Sequence, residues 1–147
     1  MMRVKHVLLF LIFLPFIGKS QVSTDDIVGV WLTQAKDAKV EVYKKGGKYF
    51  GKVIWIKTPN DENGQPVKDT KNPDDAKKNQ NILGMDIITD LVFKTEEWSG
   101  GKVYDPKNGE TYDCKIWLEE GKIHLRGYLG WFYETKTWKD GLKIHFV

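Results

Sequence analysis

Arg126 and Tyr128 carry the clearest binding chemistry in the sequence. They stand two residues apart in an extended run, so their side chains share one face of the predicted strand. A guanidinium presents a fork of N–H donors that matches the two oxygens of a carboxylate, and a phenol adds one further donor. The pair therefore indicates a site for a ligand that bears a carboxylate. The competing interpretation leaves Arg126 in solvent while its apolar neighbours face inward.

Few other side chains offer reactive chemistry. His124, His145 and Cys114 share no local spacing, whereas a metal site needs three or four ligands. His124 is predicted to be a surface or lightly buried residue, and Cys114 a buried, inert thiol among apolar neighbours. The chain also lacks the patterns of nucleophile elbows, zinc proteases and phosphate-binding loops. We therefore predict a protein that is not an enzyme and that uses no cofactor or metal.

The first twenty residues predict export. Basic Arg3 and Lys5 precede an apolar run of about a dozen residues, Val7–Gly18, which is too short to span a bilayer and typical of a signal peptide. Small residues at the end of this run suit cleavage after Ser20, which leaves one domain at 21–147. We predict a periplasmic or secreted protein with no stable membrane span in its mature chain; a single membrane anchor is the alternative.

The charge of the predicted mature chain is balanced. The full sequence has 23 basic and 20 acidic residues, but Arg3, Lys5 and Lys19 lie in the predicted leader, which contains no acid. A neutral chain lacks the basic footprint of nucleic-acid-binding proteins, so we exclude nucleic acid as a partner. The single cysteine cannot form an internal disulfide.

Alternating residues predict an all-β fold. From Tyr112 to Leu118 every second residue is apolar or cysteine, as in a strand with one face in a core. Turns at 105–109 and 119–122 flank this run. Further strands are predicted at 27–33, 38–43, 49–57, 82–95, 123–131, 132–138 and 142–147, with a turn at 98–101 before a run that ends at 103–104. Eight or nine strands joined by short turns favour an antiparallel sandwich or barrel.

The segment Thr58–Asn81 interrupts this pattern with a long polar stretch. A loop of this length in a compact domain is usually functional or disordered. Asn72 and Pro73 suit the start of a helix, which we predict over Pro73–Asn79. We interpret the segment as a lid over the open end of a barrel, and we expect the strand after it to bend near Asp90.

Several motifs together resemble a known family. Gly29-Val30-Trp31 resembles the Gly-x-Trp entry of the calycins (lipocalins and their relatives), in which the indole plugs one end of a barrel. The further motifs, in order, are Gly51-Lys52-Val53-Ile54-Trp55, Asp69-x-x-Asn72-Pro73-Asp74, Leu83-Gly84, Gly101-Lys102-Val103-Tyr104-Asp105-Pro106-x-x-Gly109-x-x-Tyr112, Arg126-Gly127-x-x-Gly130 and Thr137-Trp138. The set resembles an exported bacterial family known as domain of unknown function 2147, which is placed with the lipocalin-like barrels. Lys78, Gln80 and Asp140 stand where we expect that family to have arginines.

The resemblance implies a small antiparallel lipocalin-like barrel of about eight strands, with Trp31 as its plug and one long loop carrying a short helix. Arg126 and Tyr128 are similar to the Arg-x-Tyr pair that holds a carboxylate in the fatty-acid-binding relatives of lipocalins. We predict that the barrel binds a small hydrophobic or amphipathic ligand, with Tyr112, Ile116 and Leu118 lining its apolar part.

A second function stays open. A barrel whose interior is filled by side chains would act instead as a cell-envelope module that contacts a protein or a glycan. Trp55, Trp117 and Trp131 would then be exposed together on its surface.

Overall fold

A computed structural model describes Gly18 and residues 20–142 of the chain. The predicted signal peptide, the predicted strand 142–147 and His145 therefore lie almost entirely outside the described residues. Within the described part, no helix has the length and hydropathy that a membrane span requires.

Eight antiparallel strands close into a barrel, which confirms the predicted all-β fold. Each strand pairs with the next, and the last pairs with the first. The strands are β1 (Gly29–Leu32), β2 (Ala38–Lys45), β3 (Lys48–Ile56), β4 (Asp86–Lys94), β5 (Glu97–Asp105), β6 (Glu110–Glu119), β7 (Lys122–Leu129) and β8 (Phe132–Asp140).

The barrel closes along a short seam between β8 and β1. In the described residues, two pairs form this seam, Trp31 with Asp140 and Leu32 with Lys139. The Gly141 N–H adds a hydrogen bond of 2.8 Å to the Val30 carbonyl. By contrast, seven residue pairs join β6 to β7. The seam is thus the shorter of these two ladders.

The two ends of the barrel differ. Because successive connections alternate between the ends, the β2–β3, β4–β5 and β6–β7 turns lie together at what we call the closed end. The segment before β1 covers this end: Ile27 is fully buried, and Trp98 Nε1 donates to the Thr24 carbonyl at 3.0 Å. The remaining connections lie at the other end, the loop end.

Side chains from all eight strands fill the barrel core. Trp31 lies in this core with 8% of its surface exposed, and its Nε1 donates to the Ile27 carbonyl at 2.8 Å. The indole therefore keeps its polar atom satisfied while its ring packs against apolar neighbours. The core residues are Ile27, Trp31, Val40, Val42, Tyr49, Ile88, Leu91, Trp98, Cys114, Ile116, Ile123, Leu125 and Trp138, with Val53 also buried.

The structure corrects the predicted turn at 98–101. These residues lie within β5, and the chain reverses at Thr95 and Glu96, whose φ angles are 52° and 65°. Gly101 is required for close packing, since a Cβ there would lie 2.3 Å from the Thr89 carbonyl oxygen. The predicted bend at Asp90 is confirmed by its positive φ of 60°.

The predicted helix over Pro73–Asn79 is a single 3-10 turn, Asp75–Lys77. Asp74 rather than Asn72 caps it, because the Asp74 carboxylate accepts the Ala76 N–H at 3.0 Å. The Asn72 side chain, two positions before this cap, instead accepts the Asp74 N–H at 2.9 Å.

Replacing Trp31 by alanine should destabilise the fold strongly. Emptying a buried aromatic site costs about 3–5 kcal/mol, whereas the fully exposed Trp131 should tolerate the same change within about 0.5 kcal/mol. Urea unfolding of both variants measures the difference. A loss below about 1 kcal/mol for Trp31→Ala would contradict a plugging role.

Candidate ligand-binding site

Arg126 and Tyr128 lie on the outer surface of the barrel. Ile123 and Leu125 are core residues, and alternation along β7 directs Arg126 and Tyr128 to the opposite face. The structure therefore supports the competing interpretation, in which Arg126 faces away from the barrel interior. Gly127, which has no side chain, occupies the inward position between them.

The other predicted ligand contacts lie on the inward face of β6. Ile116 is fully buried in the core, and Leu118 packs against that core. The Tyr112 hydroxyl accepts a hydrogen bond of 2.8 Å from the Asn108 side-chain amide. Of these three residues, Leu118 lines a groove together with Arg126, whereas Tyr112 and Ile116 are not part of its lining. Their individual contact with a ligand stays a prediction.

The outward side chains of β6, β7 and β8 form a surface rich in rings and cations. Arg126 lies at its centre, with Cζ 4.4 Å from the centroid of the Tyr133 ring and 5.2 Å from that of the Trp117 ring. The His124 ring stacks on Trp117, and the Tyr128 ring lies 6.2 Å from Tyr133. Contacts between a cation and two rings hold the guanidinium plane in place. We call this surface the cation–aromatic face: Lys115, Trp117, His124, Arg126, Tyr128 and Tyr133.

The guanidinium of Arg126 has unused donors. Its Nε donates to Thr135 Oγ1 at 2.8 Å, which leaves four of the five N–H groups. In the part of the chain that the structure describes, no carboxylate lies within 4.0 Å of this guanidinium. Lys115, its neighbour across the strands, is already paired with Glu97 at 3.0 Å. The half-buried Arg126 thus presents an uncompensated positive charge.

A groove of about 370 Å³ runs beside this charge. Val22 and Leu118 supply its apolar surface, Trp117 an aromatic ring, and Arg126 with Lys115 its cations. The remaining lining residues are Thr95, Glu96 and Glu97. The groove therefore combines an apolar strip with an anion-binding group, which is the chemistry that an amphipathic molecule requires.

A second groove, of about 500 Å³, separates residues 72–80 from the outer wall of β4, β5 and β6. Two of its lining residues bind Asp69, a fully buried carboxylate that accepts the Tyr104 hydroxyl at 2.7 Å and the Asn72 side-chain amide at 2.6 Å. Burial and the bond to Asp69 raise the pKa of Tyr104, so its phenol stays a donor. This cluster fastens the long segment to β5.

The β5–β6 turn completes the attachment. Lys71 Nζ donates to the Lys107 carbonyl at 2.7 Å, and a Cβ on Gly109 would lie 2.0 Å from the Lys71 carbonyl oxygen. The 69–80 part of the segment therefore lies against the outer wall rather than over the loop end as a lid. The sequence predicted Gly109 in a turn and Asp69 as a solvated residue, whereas Asp69 is fully buried and, with Tyr104 and Gly109, attaches the segment.

The single thiol offers no nucleophile. Cys114 is buried in the core, and burial raises its pKa to about 12, with the nearby Asp113 carboxylate as a smaller cause. The thiol is thus protonated at neutral pH and unreactive. Across residues 20–142, no group of three histidine, cysteine, aspartate or glutamate side chains is placed to hold a metal ion.

The closed eight-stranded barrel with a Trp-containing first strand has the fold of the lipocalins. It is similar to "Protein HP1028 from the human pathogen Helicobacter pylori", which is described as belonging to the lipocalin family, with a TM-score of 0.65 and 23% identity. The match covers 78% of this chain and 82% of the other. The chain belongs to the family described as "Uncharacterized protein conserved in bacteria (DUF2147)", which matches residues 29–140. A search of curated proteins found no match.

Alanine at Gly109 should loosen the long segment. Gly109 and Gly47 share nearly the same φ, 77° and 74°, but a Cβ on Gly47 meets nothing within 4 Å. Both substitutions carry the same backbone strain, so the difference between them isolates the clash with Lys71. Urea unfolding should show a larger loss for Gly109→Ala, and amide exchange should rise over residues 69–81. Equal effects of the two variants would contradict the attachment.

Proposed function

We propose that the chain is an exported, non-catalytic binding protein that holds a small amphipathic molecule on its cation–aromatic face, with the anionic end at Arg126. One observation carries this proposal. The Arg126 guanidinium is held between the Trp117 and Tyr133 rings, with no carboxylate partner among the described residues.

The two rings prepare Arg126 for an anion. Each cation–π contact stabilises the guanidinium by about 0.5–1 kcal/mol at an exposed site, and the Thr135 hydroxyl fixes its Nε. The terminal nitrogens can therefore meet a carboxylate with little further loss of side-chain entropy. A hydrogen bond to a charged group contributes about 1.5–3 kcal/mol, which is roughly ten- to a hundredfold in affinity.

The apolar part of the ligand would lie in the adjoining groove. Trp117 borders both the guanidinium and the groove, so one molecule can contact the charge and the apolar strip of Val22 and Leu118 together. Tyr128 stands two residues from Arg126 on the same face, about 7 Å along the strand, and adds a second donor. The ligand class is thus a short chain or ring system with a carboxylate.

The packing of the core favours this outer site over an interior one. Trp98, Ile116 and Trp138 fill the barrel from three strands with at most 4% of their surfaces exposed. The grooves of about 370 and 500 Å³ both lie on the outer wall. A ligand in the interior would have to displace core side chains, at several kcal/mol for each aromatic ring.

The interaction-module function is favoured by a separate observation. Trp131 and Phe132 are 98% and 80% exposed at the β7–β8 turn. The expected patch of Trp55, Trp117 and Trp131 does not form, because Trp55 lies on β3, three strands from β6 and from β8.

Arg126→Leu should weaken binding of laurate ten- to a hundredfold, because the carboxylate loses its charged donor. Dodecanol, which has the same chain without the charge, should bind the wild type and this variant alike. Lys45→Leu removes one exposed positive charge elsewhere and is the matched control. Calorimetric titration measures all three proteins. Equal laurate affinity of the wild type and Arg126→Leu, or no laurate binding, would overturn the proposal.

The native protein should begin at Gln21. The basic start and the short apolar run before it motivate this expectation. Intact mass of the protein isolated from its own cells should give the chain 21–147, with or without cyclisation of the new N-terminal glutamine. A chain that retains Met1 would contradict export by cleavage.

A further inference from the structure

The hairpin between β7 and β8 ends in exposed apolar side chains, which we call the aromatic tip. Gly130 makes the turn with a φ of 58°. The tip consists of Leu129, Trp131, Phe132 and Tyr133, which are 57%, 98%, 80% and 63% exposed. Apart from Arg126 and Tyr128 beside Tyr133, no ring or cation contact holds these side chains within the described residues.

The tip differs from the other hairpins of the barrel. Charged residues flank the three turns at the closed end: Lys45 and Lys48, Lys94 and Glu97, Glu119 and Lys122. Residues 129–133 carry no charge at all. Charges at a turn keep it in water, whereas four apolar side chains on a protruding turn gain free energy when they leave water.

The shape of the tip favours a lipid surface over a protein partner. Three rings at these exposures offer on the order of 500 Å², below the roughly 800 Å² per partner of a stable protein interface. The tip is also a narrow protrusion, since nearly all of the Trp131 surface is exposed. Trp and Tyr rings settle at the boundary between water and acyl chains, where an apolar body and a polar edge are both accommodated.

The charges behind the tip match an anionic headgroup. Two acids near the tip have cationic neighbours: Asp113 pairs with Lys102 at 2.5 Å, and Glu134 lies 3.9 Å from Lys136, which Asp105 shares at the same distance. Arg126, whose guanidinium rests on the tip residue Tyr133, has no such partner among the described residues. Arg126 pairs with Thr135, four residues from Trp131, so it stands about 13 Å behind the end of the tip. The headgroup layer of one leaflet is about 5–8 Å thick. Arg126 meets this layer through its side chain, because its guanidinium lies 4.4 Å from the ring of Tyr133, which is two residues, or about 7 Å, from Trp131.

We propose that the aromatic tip docks this protein on a lipid surface, with Trp131 and Phe132 inserted at the acyl boundary and Arg126 facing the phosphate of an anionic phospholipid. The part played by Arg126 rests on the proposed function, because it uses the same guanidinium. The insertion of the tip does not. Such docking brings the cation–aromatic face to the layer in which amphipathic carboxylates are dissolved.

The test uses the protein in whichever form intact mass shows to be native. It is mixed with vesicles of phosphatidylcholine alone and of phosphatidylcholine with phosphatidylglycerol at 7:3, and bound protein is separated by flotation. The double variant Trp131→Ser, Phe132→Ser should lose at least tenfold in partition on both kinds of vesicle. Trp55→Ser, which removes a partly exposed tryptophan from another wall, should stay within twofold of the wild type.

Two further measurements separate the parts of the proposal. Arg126→Leu should lose affinity for the vesicles with phosphatidylglycerol and not for the neutral ones. The double tip variant should still bind laurate within twofold of the wild type, which distinguishes a failure of docking from a failure of the proposed ligand site. Inorganic phosphate at millimolar concentration should not displace the wild type from neutral vesicles.

Three outcomes would overturn the proposal. Equal partition of the wild type and the double tip variant on both vesicles would show that the tip does not insert. A wild-type dimer in solution that the double variant dissociates would show that a second copy covers the tip. Equal affinity of Arg126→Leu and the wild type for the anionic vesicles would remove the headgroup contact.

Discussion

The buried carboxylate of Asp69 determines how the long segment is held on this barrel. An ionisable group taken out of water costs several kcal/mol unless donors replace the lost solvent. Here the Tyr104 hydroxyl and the Asn72 amide are those donors. One comes from the wall of the barrel and the other from the segment itself, so the carboxylate is satisfied when the two are joined. Lys71 adds separate contacts with the β5–β6 turn, through the Lys107 carbonyl and the close approach of Gly109.

The side chains that β7 presents to solvent determine what the chain can bind. The inward positions belong to Ile123, Leu125 and Gly127, so the charged and phenolic groups between them are presented to solvent. A barrel usually offers its interior to a ligand, but here the rings of Trp98 and Trp138 occupy that space. The side chains suited to recognition, a guanidinium and several aromatic rings, lie on the outer wall of β6–β8. In the proposed function, the lipocalin fold supports a site on its outer surface.

The strands could be predicted because alternation of apolar and polar residues is a local pattern. The side of β7 on which Arg126 lies could not be predicted. Alternation along β6 predicts both the strand and the face that points into the core, because Cys114 and Ile116 mark the apolar face. Along β7 the loop-end half is ambiguous: Gly127 contributes no side chain, and the inward position opposite it on β8 is held by Glu134. The turn predicted at 98–101 was wrong because glycine also occurs within strands, where it lets two backbone segments approach closely. Asp69 could not be recognised, since its partner Tyr104 lies 35 residues away.

Because the seam joins β1 to β8, the barrel can close only after β8 has been synthesised. The two residue pairs of the seam join the first strand to the last, so the ring stays open until residues 139–141 are available. While the chain emerges from a ribosome or a translocation pore, β1 to β7 can pair in order as a curved sheet with two free edges. The unpaired N–H and C=O groups of those edges can form hydrogen bonds with a strand of another chain. Such a protein is most exposed to misassembly before residues 139–141 have been added, and their removal would leave the sheet unclosed.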